Sequence, residues 1–122
     1  MYNLFDSQVL KIYQGNSMML EIAMTDTSTG EPVEMANDDY VLFTVVNKNE
    51  RVVIEKRLTV NDYDENDKVL LCKIDPQDTI NLITGEYKYD MLYVCGNDTP
   101  TTFMSSTLII TKAYGKITIN EG

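Results

Sequence analysis

Seven stretches of this chain either alternate apolar and polar residues or are dense in β-branched and aromatic ones, a pattern that fits strands and little else. QVLKIY (8–13) is the first. In SMMLEIAM (17–24), Leu20, Ile22 and Met24 share one face and Glu21 takes the other. YVLFTVVN (40–47) has the β-branched and aromatic composition that strands favour. The polar turn NKNE (47–50) joins it, as a hairpin, to RVVIEKRLTV (51–60). In this second arm Val52, Ile54, Leu58 and Val60 are expected on one face, with Glu55, Arg57 and Thr59 on the other. KVLLCKI (68–74) would turn Leu70, Cys72 and Ile74 inward. EYKYDMLYVC (86–95) and TTFMSSTLIIT (101–111) complete the set.

Between the runs lie turn formers: Gln14-Gly15-Asn16, the loop TDTSTGEPVEMANDD (25–39), the charged NDYDEND (61–67) and GNDTP (96–100). One short helix is predicted within DPQDTINL (75–82). Asp75 can cap it, Pro76 suits the first helical position, and Asp78 sits in the first turn, where the helix dipole favours a negative charge. Gly85 is expected to end the element. Seven strands at regular spacing predict a β-sandwich. A chain of 122 residues fits one domain, and at this size roughly two-thirds of the unfolded surface can be buried, so no staples are needed. Residues 1–114 are assigned to the domain and 115–122 to a C-terminal tail. The KITIN segment of that tail would add an edge strand or lie on a neighbouring molecule.

The net charge is −9, which opposes contact with nucleic acid or anionic membranes, both of which attract basic patches. It fits either simple solubility or a basic partner surface. MYNLFDSQVLKIYQG lacks a basic segment followed by a long apolar core, so no signal peptide is expected, and the chain is expected to be made in the cytoplasm. The longest apolar run, VLFTVV, is broken by Thr44 and is too short to span a bilayer. Cys72 and Cys95 are far from any Cys-x-x-Cys spacing and are expected to be buried thiols.

Reactive chemistry has little to build on. The chain has no histidine, which removes Ser-His and Cys-His nucleophiles and histidine metal ligands. Its six glycines are scattered, so no Gly-rich phosphate cradle forms. Asp62, Asp64, Asn66 and Asp67 cluster oxygen ligands as calcium sites do. Against the helix-loop-helix calcium pattern, however, Asp67 stands where the turn glycine belongs and Lys73 where the bidentate glutamate belongs. A solvated charged loop is the favoured reading, with no metal or cofactor. Asp90 alternates away from Tyr87, Tyr89, Met91 and Tyr93, and is expected to meet solvent or a neighbouring turn. The tyrosines share their face with Met91 and Cys95. That favours a core wall with hydroxyls at the rim over an exposed binding surface.

Three pieces carry a resemblance. Tyr13, Gly15 and Asn16 fall in an early turn before a strand; Gly30, Pro32 and Glu34 precede another; and Asp78, Thr79, Leu82, Gly85, Tyr87, Tyr89 and Asp90 run from the short helix into a strand. Together they resemble the Ig-like β-sandwich domain at the N-terminus of phage baseplate upper proteins and related phage and prophage structural proteins. The likeness covers roughly residues 10 to 114. Asn16 departs from the acid usual in the early turn, and the usual continuation into a receptor-binding attachment region is not in these 122 residues. The resemblance implies an all-β, Ig-like sandwich of about seven strands with one short helix, in which Gly85, Tyr87, Tyr89 and Asp90 form a structural motif. It implies a non-enzymatic virion component of a tail or baseplate, partnered by other virion proteins and by copies of itself. It carries no catalytic residues. An Ig-like module that recognises carbohydrate or a host surface is the competing expectation, and a concave, exposed aromatic patch would favour it.

Overall fold

Strand by strand, the alternation becomes burial. The structure is a computed structural model that describes residues 8–26, 28–95 and 100–112. Among these, β1 (Leu10–Tyr13), β2 (Met18–Ile22), β5 (Tyr40–Val46), β6 (Val52–Thr59), β8 (Val69–Ile74), β9 (Gly85–Val94) and β10 (Thr101–Thr111) match the seven expected runs. Three two-residue strands lie in the loops: β3 (Thr25–Asp26), β4 (Glu31–Pro32) and β7 (Tyr63–Asp64).

One sheet has the order β1-β10-β9-β5-β6 and the other β2-β8-β7, while β3 and β4 form a small ribbon. Neighbours are antiparallel except β1, which runs parallel to β10. The inner faces of the two sheets meet in one apolar cluster. Val41, Phe43, Val45, Ile12, Leu108 and Ile110 come from the larger sheet; Leu20, Ile22, Leu70, Cys72 and Ile74 come from the smaller. Each large apolar side chain removed from water in this way contributes about 1.5–3 kcal/mol. The fold is therefore an all-β, Ig-like sandwich with one short helix.

The chain passes from one sheet to the other in the tight turn between β1 and β2. Gly15 has φ +76, a conformation that glycine adopts without steric cost. Its N–H donates to Thr79 Oγ1 at 2.8 Å, and Gln14 Nε2 donates to Leu82 O at 2.6 Å. A Cβ at position 15 would stand 2.8 Å from Ile80 Cδ1. The turn is thus fastened to the last residue of the helix and to the segment after it, 64 and 68 residues away along the chain.

Several expectations need correction. The helix is a single turn, Pro76–Thr79, and Ile80 follows it in helical conformation as its C-cap. Gly85 does not end it; with φ +143 it opens β9. Val52 faces solvent at 56% exposure, because Val45 pairs with Ile54 but Val46 pairs with Val52. The bulge at Val53 breaks the period of two at the hairpin end. Val60 opens a 3-10 turn, Val60–Asp62, and is only half-buried. The loop 25–39 is also more than a linker, since Val33 and Met35 reach the core. The tail segment KITIN and most of the GNDTP turn lie outside the described residues.

Candidate docking surfaces

The tyrosine row on β9 belongs to the wall of the core. Tyr87, Tyr89, Met91 and Tyr93 are all buried, and each tyrosine hydroxyl finds a polar partner near the rim. Tyr87 donates to Ile83 O at 2.6 Å, and Tyr89 donates to Gln8 O. Tyr93 donates to Asp39 Oδ2 at 2.8 Å, and the same oxygen accepts the Ala36 N–H at 3.0 Å. Cys95, which follows the row, is half-buried, and no disulfide joins it to Cys72. Burial pushes the Cys72 thiol up to about 12, so it stays protonated and unreactive at neutral pH.

Two of the four calcium candidates, Asp62 and Asp64, hold the backbone. Asp62 Oδ2 accepts the Thr59 N–H at 2.9 Å, closing a capping box on the 3-10 turn. Asp64 Oδ1 accepts from Asn66 N at 2.9 Å and Asp67 N at 3.2 Å, an Asx-type turn. Among the described residues no group of three or more Cys, Asp or Glu side chains converges as a metal ion would require.

Asp90 is exposed on the outer face of the larger sheet, in register with Thr44 on β5 and Ser105 on β10. Partial burial among these strands raises its carboxyl above the usual range. Asp78 behaves oppositely. Partial burial alone would raise it, but the Lys56 hydrogen bond, the Asp75 N–H and the Lys56 charge together hold it below its usual value. The Lys56 ammonium lies 2.7 Å from Asp78 Oδ2, which also accepts the Asp75 N–H at 2.7 Å.

Sheet edges carry unpaired backbone groups, and a charge on the inward face of an edge strand discourages pairing there. β6 is guarded in this way. Lys56 shares its inner face with Ile54 and Leu58, and Glu55 and Arg57 flank it. β2 has no such guard. It pairs with β8 on one side and, among the described residues, with nothing on the other. Its sequence is MMLEI, with Met19 49% exposed. A groove of about 650 Å³ follows this edge, bounded by Leu10, Met19, Ile22 and Met104 among others.

A second surface lies at the end of the sandwich where the β1–β2 turn, the β5–β6 turn and the segment 80–84 meet. Ile80 and Ile83 stand out from it at 53% and 82% exposure. Beside them runs a groove of about 400 Å³, mostly apolar in lining, with Val53, Leu82 and Tyr87 in its walls and Lys48 and Glu86 at its border. Sequence reading passed over these two isoleucines, because segment 80–84 has no periodicity to mark a face. The available signal was two β-branched apolar residues in a connection that should otherwise be polar.

No family model matches this sequence, and no curated protein does. In fold, the chain is similar to fibronectin(III)-like modules of Clostridium thermocellum CbhA, at 14% identity, covering 93% of this chain and 99% of that one, with a TM-score of 0.46.

Proposed function

We propose that this domain is a non-enzymatic assembly module, a structural component of a phage or prophage tail or baseplate that works by docking to neighbouring virion proteins and to copies of itself. The observation that carries the assembly reading is the unguarded edge of β2. An extended segment added there would gain main-chain hydrogen bonds, and the adjoining groove would take its alternate side chains. KITIN has the strand-forming alternation to fill such an edge on another molecule. The virion assignment rests on the likeness of the Asp78-to-Asp90 segment to baseplate proteins.

A non-catalytic role is consistent with the chemistry present. Histidine is lacking, and Asp39, Asp62, Asp64 and Asp78 spend their carboxylates on backbone N–H groups. The partners are proteins, and the place of action is the virion after synthesis in the host cytoplasm. No described helix is long and apolar enough to cross a membrane. The carbohydrate-binding alternative loses ground because Tyr87, Tyr89 and Tyr93 turn inward.

The genes that flank the coding sequence test the virion assignment. Neighbours encoding tail tape-measure or tail-fibre proteins are expected. Neighbours confined to cellular metabolism would overturn it.

A further inference from the structure

We propose that the end of the sandwich around Ile83 is a self-docking patch, in which Ile83 of one copy enters the groove beside β9 of a second copy and the reverse, about a two-fold axis. This rests on the assembly reading above and names one partner, a second copy of this chain.

The first argument is rigidity. An isoleucine exposed at 82% is unremarkable on a mobile loop, but this segment is fastened at several points. Tyr87 Oη donates to Ile83 O at 2.6 Å. Gln14 Nε2 donates to Leu82 O at 2.6 Å, and Leu82 N donates to Thr79 O at 2.9 Å. Thr79, itself fully buried, accepts the Gly15 N–H at 2.8 Å. Ile83 is therefore held out into water by bonds at its own carbonyl and its neighbour's. A backbone held in place before binding has little freedom left to lose, which favours its side chain as an interface anchor.

The second argument is self-complementarity. The same patch carries the protruding Ile83 and an apolar groove of about 400 Å³ walled by Val53, Leu82, Tyr87 and Ile83 itself. A two-fold contact uses one surface twice, so it needs a projection and a recess on the same patch. The third argument is charge. A second copy brings another nine net negative charges, which opposes association unless the contact itself is balanced. Here it is balanced: Lys48 and Glu86 border the groove with opposite sign, and neither forms an ion pair with the described residues. A two-fold arrangement sets Lys48 of one copy against Glu86 of the other. Two turns and a strand end make a small contact, so the dimer belongs to the weak, transient class.

Sedimentation equilibrium on the full chain tests this with four proteins: the parent, Ile83→Asp, Lys48→Glu, and the double variant Lys48→Glu with Glu86→Lys. The parent should show a reversible monomer–dimer equilibrium below about 1 mM, the range of weak contacts. Ile83→Asp should weaken the dimer by at least about tenfold, the loss of one anchor. Its melting temperature should not move, since Ile83 is exposed. Lys48→Glu should weaken it by several-fold, and the double variant should restore it. A parent that stays monomeric, a dimer indifferent to Ile83→Asp, or a double variant no better than the single would each overturn the proposal. None of those results touches the virion assignment, which the flanking genes decide separately.

Discussion

At the residue scale, the tyrosines on β9 show how a side chain with two possible roles is assigned by its neighbours. Tyr87 shares its strand face with Met91 and is buried with it. Replacing it by alanine should cost roughly 3–5 kcal/mol in urea unfolding, as large-to-small aromatic changes in cores do. A loss below about 1 kcal/mol would place it on the surface. Tyr93→Phe keeps the ring but leaves Asp39 Oδ2 without that donor. The carboxylate oxygen keeps the Ala36 N–H, so the expected loss is that of one hydrogen bond to a carboxylate, about 1.5–3 kcal/mol. Asp90 makes the opposite case. Its carboxyl is raised in the native state, so ionising it weighs against the fold. Its contribution is most favourable at acid pH, where it is protonated, and is lost as pH rises through its unfolded and native values. Asp90→Asn should therefore leave the pH 7 melting temperature unchanged or higher, and a clear decrease would contradict this. Of the residues singled out in the sequence, Tyr87 and Tyr89 fall on the buried face of β9 as the alternation implies, whereas Gly85 opens the strand and does not end the helix. The direction of Asp90 followed from the period of two, and the hydroxyl partners did not, because Asp39 and Ile83 come from segments with no pattern of their own and Gln8 sits at the very start of its run.

At the element scale, periodicity located the long strands, and local chemistry set where they end. β5, β8, β9 and β10 fall within a residue of the expected runs, since each buries one face against the other sheet. The misses have physical causes. A bulge at Val53 turned Val52 outward, and no composition rule announces a bulge. The helix stops after Thr79 because the chain must tie Leu82 and Thr79 to the β1–β2 turn. That tie is open to test. Gly15→Ala places a methyl against Ile80 and strains a left-handed backbone, which should cost at least about 1–2 kcal/mol. Full tolerance of that change would mean the turn is not fastened as described. The Lys56–Asp78 pair at the same helix adds a pH signature. Because Asp78 is held below its usual value in the native state, its contribution is complete above the unfolded-state value. It is lost as pH falls through the native value. Lys56→Met should lower stability at pH 7 and make less difference near pH 2; an equal loss at both would remove the ion pair from the explanation.

At the scale of the whole molecule, the sandwich was legible because its two inner faces are written as alternation in seven separate runs. The candidate docking surfaces were only partly legible. Edge strands were expected to dock, but which edge is open depends on sheet order. Only the structure shows that β6 carries an inward lysine while β2 carries none. The Ile83 patch was not legible at all, since it is assembled from the β5–β6 turn and the segment 81–87, distant in sequence. A strand added to the β2 edge would join unlike surfaces, whereas the proposed Ile83 contact would join like ones. The first kind of contact builds rings or filaments, and the second closes pairs. A module with both is suited to a repeating assembly.

Deleting residues 115–122 and measuring mass by light scattering tests this most directly. The truncated chain should keep the β-sheet circular dichroism and melting temperature of the parent, while its assemblies fall in mass. An unchanged mass with the fold intact would contradict docking through the tail and the open edge.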